Sequence, residues 1–285
     1  MKFGLVMFAT EYAVKVTDFA RMAEDRGYES IVLGEHSHVP CNRATPYPQG
    51  GIDLPREFMH MEDPLICLGA MAAVTERLLL GTGTCLITMR DPIILAKEVA
   101  TLDQISDGRV LFGIGTGWNR EELRNHGTDF DSLQQVFRER LAALKLLWTE
   151  REAEYHGKYV DFDPVWLWPK PVQKPWPPIL IGGAGPSIVK KVVALADGWL
   201  ASGRHIDGAA LAAKIADLQR AGAEAGRDRI PVTMQQGTPT IEAIREYAAM
   251  GVDRCILRVP PASYQEVAAA MDRHAQLIDR FAAEW

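Results

Sequence analysis

Residues 78–117 read LLLGTGTCLITMRDPIILAKEVATLDQISDGRVLFGIGTG. A short apolar run, Leu78–Gly83, is followed by apolar positions at helical spacing over Pro92–Ile105, then by a second short run, Arg109–Gly113. Short unbroken apolar runs fit buried strands, and the longer periodic stretch fits a helix. Asp91-Pro92 places proline at the first helical position, where its missing N–H costs nothing. Strands apolar on both faces and joined through a helix imply a parallel sheet with right-handed crossovers.

The same unit recurs on both sides. Further strands are predicted at Phe3–Phe8, Ser30–Gly34, Ile179–Gly182, Gly198–Ala201, Ile230–Gln235 and Arg254–Val259. Helices are predicted at Tyr12–Arg26, Pro64–Val74, Leu133–Trp148, Pro186–Leu195, Gly208–Glu224, Thr240–Met250 and Ser263–Phe281. Asp63-Pro64 and Gly185-Pro186 repeat the proline signal, and Gly27 ends the first helix. Eight strand–helix repeats in 285 residues fit an α/β fold of the closed (β/α)8 TIM barrel type better than an open doubly wound sheet. One barrel domain over residues 1–285 is expected.

Composition narrows the function. Lys plus Arg is 31 and Asp plus Glu 37, a net charge of −6, which argues against sequence-independent nucleic-acid binding. Charged residues interrupt every apolar stretch before the ~20 residues of a membrane span. The run Phe3–Phe8 is too short and too lightly flanked for a signal peptide. Cys41, Cys67, Cys85 and Cys255 form no CxxC pair, so neither a zinc site nor a disulfide framework is supported. The last three sit in apolar runs as small hydrophobes, and a reducing, cytoplasmic setting is expected.

Three connections are long: 35–62 after the second strand, 116–132 after the fourth, and 149–178 before the fifth. The first two rise from the carboxyl end of the barrel, where active sites of this fold lie. The third is proline-rich and reads equally as a lid or as a strap across the outside.

Glycines crowd three strand ends: Gly81 and Gly83; Gly113, Gly115 and Gly117; and Gly182, Gly183 and Gly185. They suggest a flat ligand laid against backbone, the alternative being tight turns alone. Gly182–Pro186 leads into a helix whose unpaired N–H groups offer an anion site. GxGxxG is absent, and Asp207 alone is weak support for a dinucleotide, so a cofactor phosphate tail fits better.

Glu35 and His36 end the second strand, an acid and an imidazole able to handle protons. The His36-Ser37-His38 pattern raises a metal-dependent hydrolase as a rival. The later loops offer only His126 and His205 as further ligands, so no metal site is expected. No strand ends in the lysine that a Schiff-base aldolase needs. Trp118 and Asn119 follow the glycines of the fourth strand. A cofactor wall with a hydrogen-bonding partner, and ordinary packing with helix capping, both stand open there.

These motifs converge. The chain resembles the luciferase-like monooxygenase superfamily, in the branch using the deazaflavin coenzyme F420. The resemblance rests on residues 27–36, 78–84, 92–109, 113–119, 178–186 and 196–199. It implies an F420-dependent oxidoreductase that moves a hydride to or from a small organic substrate, with Glu35 or His36 handling the proton. The alternatives it carries are an FMN-dependent luciferase-like monooxygenase and a non-catalytic flavin-binding barrel. The family's acidic residue near the ring matches Glu35, and His36 follows it. Its non-prolyl cis peptide matches Gly83-Thr84, and its phosphate-binding strand end matches Gly182, Gly183, Ala184 and Gly185. Thr116, Gly117, Trp118 and Asn119 complete the cofactor residues it implies. Where sugar-phosphate-oxidising members carry glutamate after Thr-Gly, this chain has Trp118, so glucose 6-phosphate is not expected as substrate. A homodimer is expected, because relatives pair through helices near the second and third strands and the helix at Pro64–Val74 is apolar around nearly its whole circumference.

Overall fold

Eight parallel strands close into a barrel in the computed structural model, which describes residues 1–48, 50–202 and 208–284. The barrel strands are β1 (Lys2–Met7), β2 (Ser30–Leu33), β3 (Leu79–Thr82), β4 (Val110–Gly115), β5 (Ile179–Gly182), β6 (Gly198–Ser202), β7 (Val232–Gly237) and β8 (Arg254–Arg258). Each strand pairs with its sequence neighbours, and β8 returns to β1 in a register that sets Phe3 opposite Cys255 and Leu5 opposite Leu257. Val6, Val32 and Ile256 fill the barrel interior as a small cluster of their own. The larger core lies between barrel and helices and runs from Phe3 to Phe281.

The helices are α1 (Val16–Asp25), α2 (Pro64–Ala72), α3 (Pro92–Ile105), α4 (Arg120–Asn125), α5 (Leu133–Thr149), α6 (Ile188–Leu195), α7 (Gly208–Glu224), α8 (Ile241–Met250) and α9 (Tyr264–Glu284). Pro64 and Pro92 stand at first helical positions, as expected, and the preceding aspartates cap them. Asp63 accepts from the N–H groups of Leu65 and Ile66 at 2.9 and 3.0 Å, and Asp91 does the same for Ile93 and Ile94. Two helix starts differ from the sequence reading by more than one residue. The first helix begins at Val16 rather than Tyr12, because Ala13 N–H closes a turn on Thr10 and Val14 N–H reaches Ala262 O. Pro186 precedes α6, because Ile188 N–H closes a turn on Gly185 O and helix geometry begins there.

The segment 149–178 is a strap, which removes the lid alternative. It forms a hairpin, Ala153–His156 with Asp161–Val165, then runs along α3 to the amino ends of the strands. Gln173 donates to Asp103 and to Val110 O at the start of β4, and Trp176 Nε1–H donates to Asp197 just before β6. This is the end of the barrel opposite the two other long connections. Cys67, Cys85 and Cys255 are buried and Cys41 is exposed. Burial raises the thiols of Cys67 and Cys255 to about 12, far from reactive thiolates. Among the described residues no helix is long and apolar enough to cross a membrane.

Candidate functional site

At the carboxyl end of the barrel lies a cavity of about 600 Å³. Its walls come from the ends of β1 to β7 and from the long connections after β2 and β4. The Gly83–Thr84 peptide is cis and lines this cavity, with its carbonyl accepting a hydrogen bond from the Gln235 amide on β7.

The glycines beside it have a reason that the sequence did not show. A Cβ at Gly115 would meet Thr84 Oγ1 at 2.5 Å, and one at Gly182 would meet Thr84 Cγ2 at 2.6 Å. A Cβ at Gly113 would overlap Thr82 O. These glycines first make room for the protein's own β3 end. Gly183 is different: its φ is +132°, and a built Cβ meets nothing closer than Ile188 Cδ1 at 3.8 Å. Gly185 has nothing within 4 Å.

Beyond these two glycines a second cavity, of about 180 Å³, opens at the start of α6. It shares Gly115, Thr116, Gly182, Gly183 and Gly185 with the larger one and adds Ser187 and Lys191. The Ser187 side chain makes no cap hydrogen bond. Lys191 Nζ donates to Gln134 Oε1 at 2.5 Å, and burial, with the charge of Arg138, lowers its pKa. A ring-sized space thus continues into a positively polarised cradle.

His36 projects into the larger cavity with its side chain 7% exposed. Glu122 on α4 is wholly buried, and its Oε2 accepts from His36 Nδ1–H at 2.7 Å. The Trp118 Nε1–H donates to His36 Nε2 at 3.3 Å. An indole N–H can only donate, so Nε2 carries the lone pair and Nδ1 the proton. A buried carboxylate therefore holds a neutral imidazole in one tautomer, with its basic nitrogen toward the cavity.

The same helix fastens the loop after β2. Glu122 Oε1 accepts from Ser37 N–H at 3.1 Å. Glu121 accepts from Ala44 N–H at 3.0 Å and Thr45 Oγ1–H at 2.6 Å. Burial opposes ionisation of Glu121, but the Thr45 hydroxyl and the backbone donors outweigh it and hold the carboxyl down at about 2.

Glu35 also lines the cavity, but its carboxylate is engaged. Oε1 accepts from Arg90 Nε–H at 2.6 Å, and Oε2 accepts from Leu86 N–H, in the short segment after the cis peptide. Arg90 also pairs with Asp63 at 2.6 Å and with Glu98 at 3.3 Å. Burial works against the guanidinium charge, and Glu35, together with Cys85 and Asp63, more than offsets it, so the pKa of Arg90 is raised.

Of the residues singled out from sequence, the cavities gather Glu35, His36, Gly83, Thr84, Thr116, Gly117, Trp118, Gly182, Gly183, Ala184 and Gly185. Asn119 is wholly buried as the N-cap of α4, accepting from Glu121 and Glu122 N–H at 3.2 and 3.3 Å. His38 turns from the cavity toward Ser37 and Asn125. His205 and Asp207 lie outside the described residues. Among the described residues no group of three or more His, Cys, Asp or Glu is placed to hold a metal. Sequence reasoning missed Glu122, Arg90, Gln235, Tyr47 and Phe58. The acidic pair Glu121-Glu122 after an N-capping asparagine was visible, but its partners lie many residues away in sequence.

The sequence pattern of the luciferase-like monooxygenases matches residues 1–284, and the chain belongs to that family. An uncharacterised Mycobacterium tuberculosis protein is 39% identical over 279 residues, 96% of this chain and 98% of its own. A Kineococcus radiotolerans F420-dependent glucose-6-phosphate dehydrogenase is 30% identical over 213 residues, 73% of this chain and 58% of that enzyme. Among solved structures, the monooxygenase RslO1 of Streptomyces bottropensis superposes with a TM-score of 0.82 at 21% identity, over 97% of this chain and 98% of that one. An F420-dependent secondary alcohol dehydrogenase, in complex with an F420–acetone adduct, gives 0.76 at 18% identity over 99% of both chains. An FMN-bound Baeyer–Villiger monooxygenase from Pseudomonas putida gives 0.66 at 20% identity, over 88% and 72%. The relatives and structural neighbours thus include proteins named for F420 and one bound to FMN.

Proposed function

We propose that this chain is an F420-dependent oxidoreductase in which His36 handles the proton that accompanies hydride transfer to or from a small organic substrate. The observation that carries the reading is the continuity of the two cavities with the His36–Glu122 pair. The larger space suits a ring, the α6 cradle with Lys191 suits an anionic tail, and a neutral imidazole faces the space between ring and loops. When bound, F420 supplies hydride donor and acceptor chemistry.

The residues divide that task. Gly183, Ala184, Gly185 and the first turn of α6 would hold the tail, with Lys191 beside it. The Gly83–Thr84 peptide, Thr116, Gly117 and Trp118 would border the ring. His36 Nε2 accepts a proton from a substrate hydroxyl on oxidation and returns it on reduction, and Glu122 stabilises the imidazolium formed. Glu35, neutralised by Arg90, anchors Leu86 behind the ring and leaves proton handling to His36. The exposed Ile66 on α2 and Ile94 on α3 support a homodimer through these helices, to be tested by light scattering at micromolar concentration, where a monomer overturns it.

The cofactor reading is tested by titrating purified protein with F420 and with FMN. Tighter binding of F420 is expected. A clear preference for FMN overturns it in favour of the monooxygenase alternative. Reversible reduction of bound cofactor without turnover of any alcohol or carbonyl would favour a non-catalytic flavin-binding barrel.

A further inference from the structure

The substrate side of the larger cavity is a closed ring of rings. His36 packs against Phe58 at 5.2 Å and Trp118 at 5.7 Å. Tyr47 packs against the same two at 5.3 and 6.0 Å, completing the cycle. Phe8 stacks edge-on to Phe58 at 5.3 Å, and Met61 lies beside them. Phe8, Tyr47 and Phe58 are buried even though they line a cavity.

Among the described residues lining the cavity there is no lysine and no arginine. The two cations that flank the box are engaged elsewhere. Arg43 donates to the carbonyls of Thr45 and Ile52 and lies 5.5 Å from the Trp118 ring centre. Arg258 pairs with Glu57 at 2.5 Å and lies over Phe8 at 5.4 Å. An anionic group placed among these rings would lose its water and meet no lysine or arginine among the described lining residues.

Two polar atoms do face the box, and they are complementary. Trp118 Nε1–H donates and His36 Nε2 accepts, and at present they satisfy each other at 3.3 Å. An alcohol oxygen inserted between them would accept from the indole and donate to the imidazole. A ketone oxygen would accept from the indole alone until the imidazole is protonated.

We infer that the substrate is an uncharged, mainly apolar secondary alcohol or its ketone, with an aryl or alicyclic body held by Tyr47, Phe58 and Trp118, and that carboxylated and phosphorylated analogues are rejected. This rests on the proton role proposed for His36. Oxidation of such an alcohol gives up a hydride from the carbinol carbon to the oxidised deazaflavin and the hydroxyl proton to His36 Nε2, leaving the ketone. Trp118 then acts directly on the substrate oxygen, at the position where the sugar-phosphate branch has its glutamate.

Binding calorimetry on the purified protein, with and without F420, tests this using 1-phenylethanol, acetophenone, mandelate and glucose 6-phosphate. Mandelate differs from 1-phenylethanol by a carboxylate in place of the methyl group. The neutral pair is expected to bind about tenfold or more tighter than mandelate. Phe58→Ala is expected to weaken the neutral pair by about tenfold while F420 affinity is retained. Mandelate or glucose 6-phosphate binding as well as the neutral pair overturns the inference. So does failure of the neutral pair to bind a protein that takes up F420. If the neutral pair binds with the expected preference but F420 does not, the cofactor reading falls and the substrate class stands.

Discussion

Replacing His36 by glutamine separates proton handling from binding. Glutamine can donate its amide N–H to Glu122 Oε2, which His36 Nδ1–H now reaches at 2.7 Å, and its carbonyl can accept from Trp118. The wholly buried Glu122 carboxylate also keeps its bond from Ser37 N–H at 3.1 Å. The fold should therefore lose no more than about 1 kcal/mol, the net worth of an imperfectly replaced hydrogen bond. An amide is not a base near neutral pH, so the chemical step loses general acid–base assistance of ~10²–10⁴-fold, or about 3–5 kcal/mol of barrier. Stopped-flow absorbance of F420 reduction by 1-phenylethanol gives the rate, and equilibrium titration gives the cofactor affinity. The expected result is a lower kcat with little change in cofactor Kd. Adding Glu122→Gln to this variant should cost little more, because the two residues act as one unit. Near-normal turnover with weakened cofactor binding would make His36 a ring contact instead. Normal values of both would remove it from the site.

Arg90→Met leaves Glu35, whose side chain is 6% exposed, without its cation; a loss of about 3 kcal/mol and a fall in Tm of roughly 6–12 °C are expected, largely recovered by adding Glu35→Gln. A fall under about 2 °C by calorimetry would show that the pair does not hold the β3 end. Gly185→Glu meets no atom within 4 Å of its Cβ and puts an anion at the α6 cradle; F420 Kd should rise about tenfold or more with Tm unchanged, and an unchanged Kd would move the tail elsewhere. For Glu121, the carboxyl sits at about 2 when folded against an ordinary 4.5, so its anchoring is full above that ordinary value and is lost as pH falls toward about 2. Protection of the Ala44 and Thr45 amides, measured against the free-peptide exchange rate at each pH, should stay high at about pH 5 and fall through that window. Glu121→Gln should already exchange fast at neutral pH, and equal rates in both proteins would refute the anchor.

The barrel was legible because strand and helix periods are properties of the local backbone, repeated eight times. Asp63-Pro64 and Asp91-Pro92 were legible for the same reason: a cap and its N–H partners lie within three residues. The Gly83–Thr84 cis bond came from likeness to a family rather than from any local pattern, and the structure has it. The glycines of β4 and β5 stand out in the sequence, but their neighbours Thr82 and Thr84 belong to the end of β3 and the turn after it. No reading of a single strand could say that they clear space for these threonines.

Sequence by itself therefore determined the architecture, the end of the barrel that carries the candidate cavity, and the burial of Cys67, Cys85 and Cys255. Tertiary structure decided which of two adjacent titratable residues is tied into an ion pair and which presents a ring nitrogen to the cavity. Glu35 meets Arg90 only because the β3 connection folds back behind it, and His36 meets Glu122, 86 residues on, only because α4 docks against the loop after β2. It also decided that 149–178 straps the amino end rather than closing the cavity, since the contacts of Gln173 and Trp176 are with β4 and Asp197. Side-chain partnerships across a closed barrel depend on strand register and loop packing, and these exist only once the chain has folded.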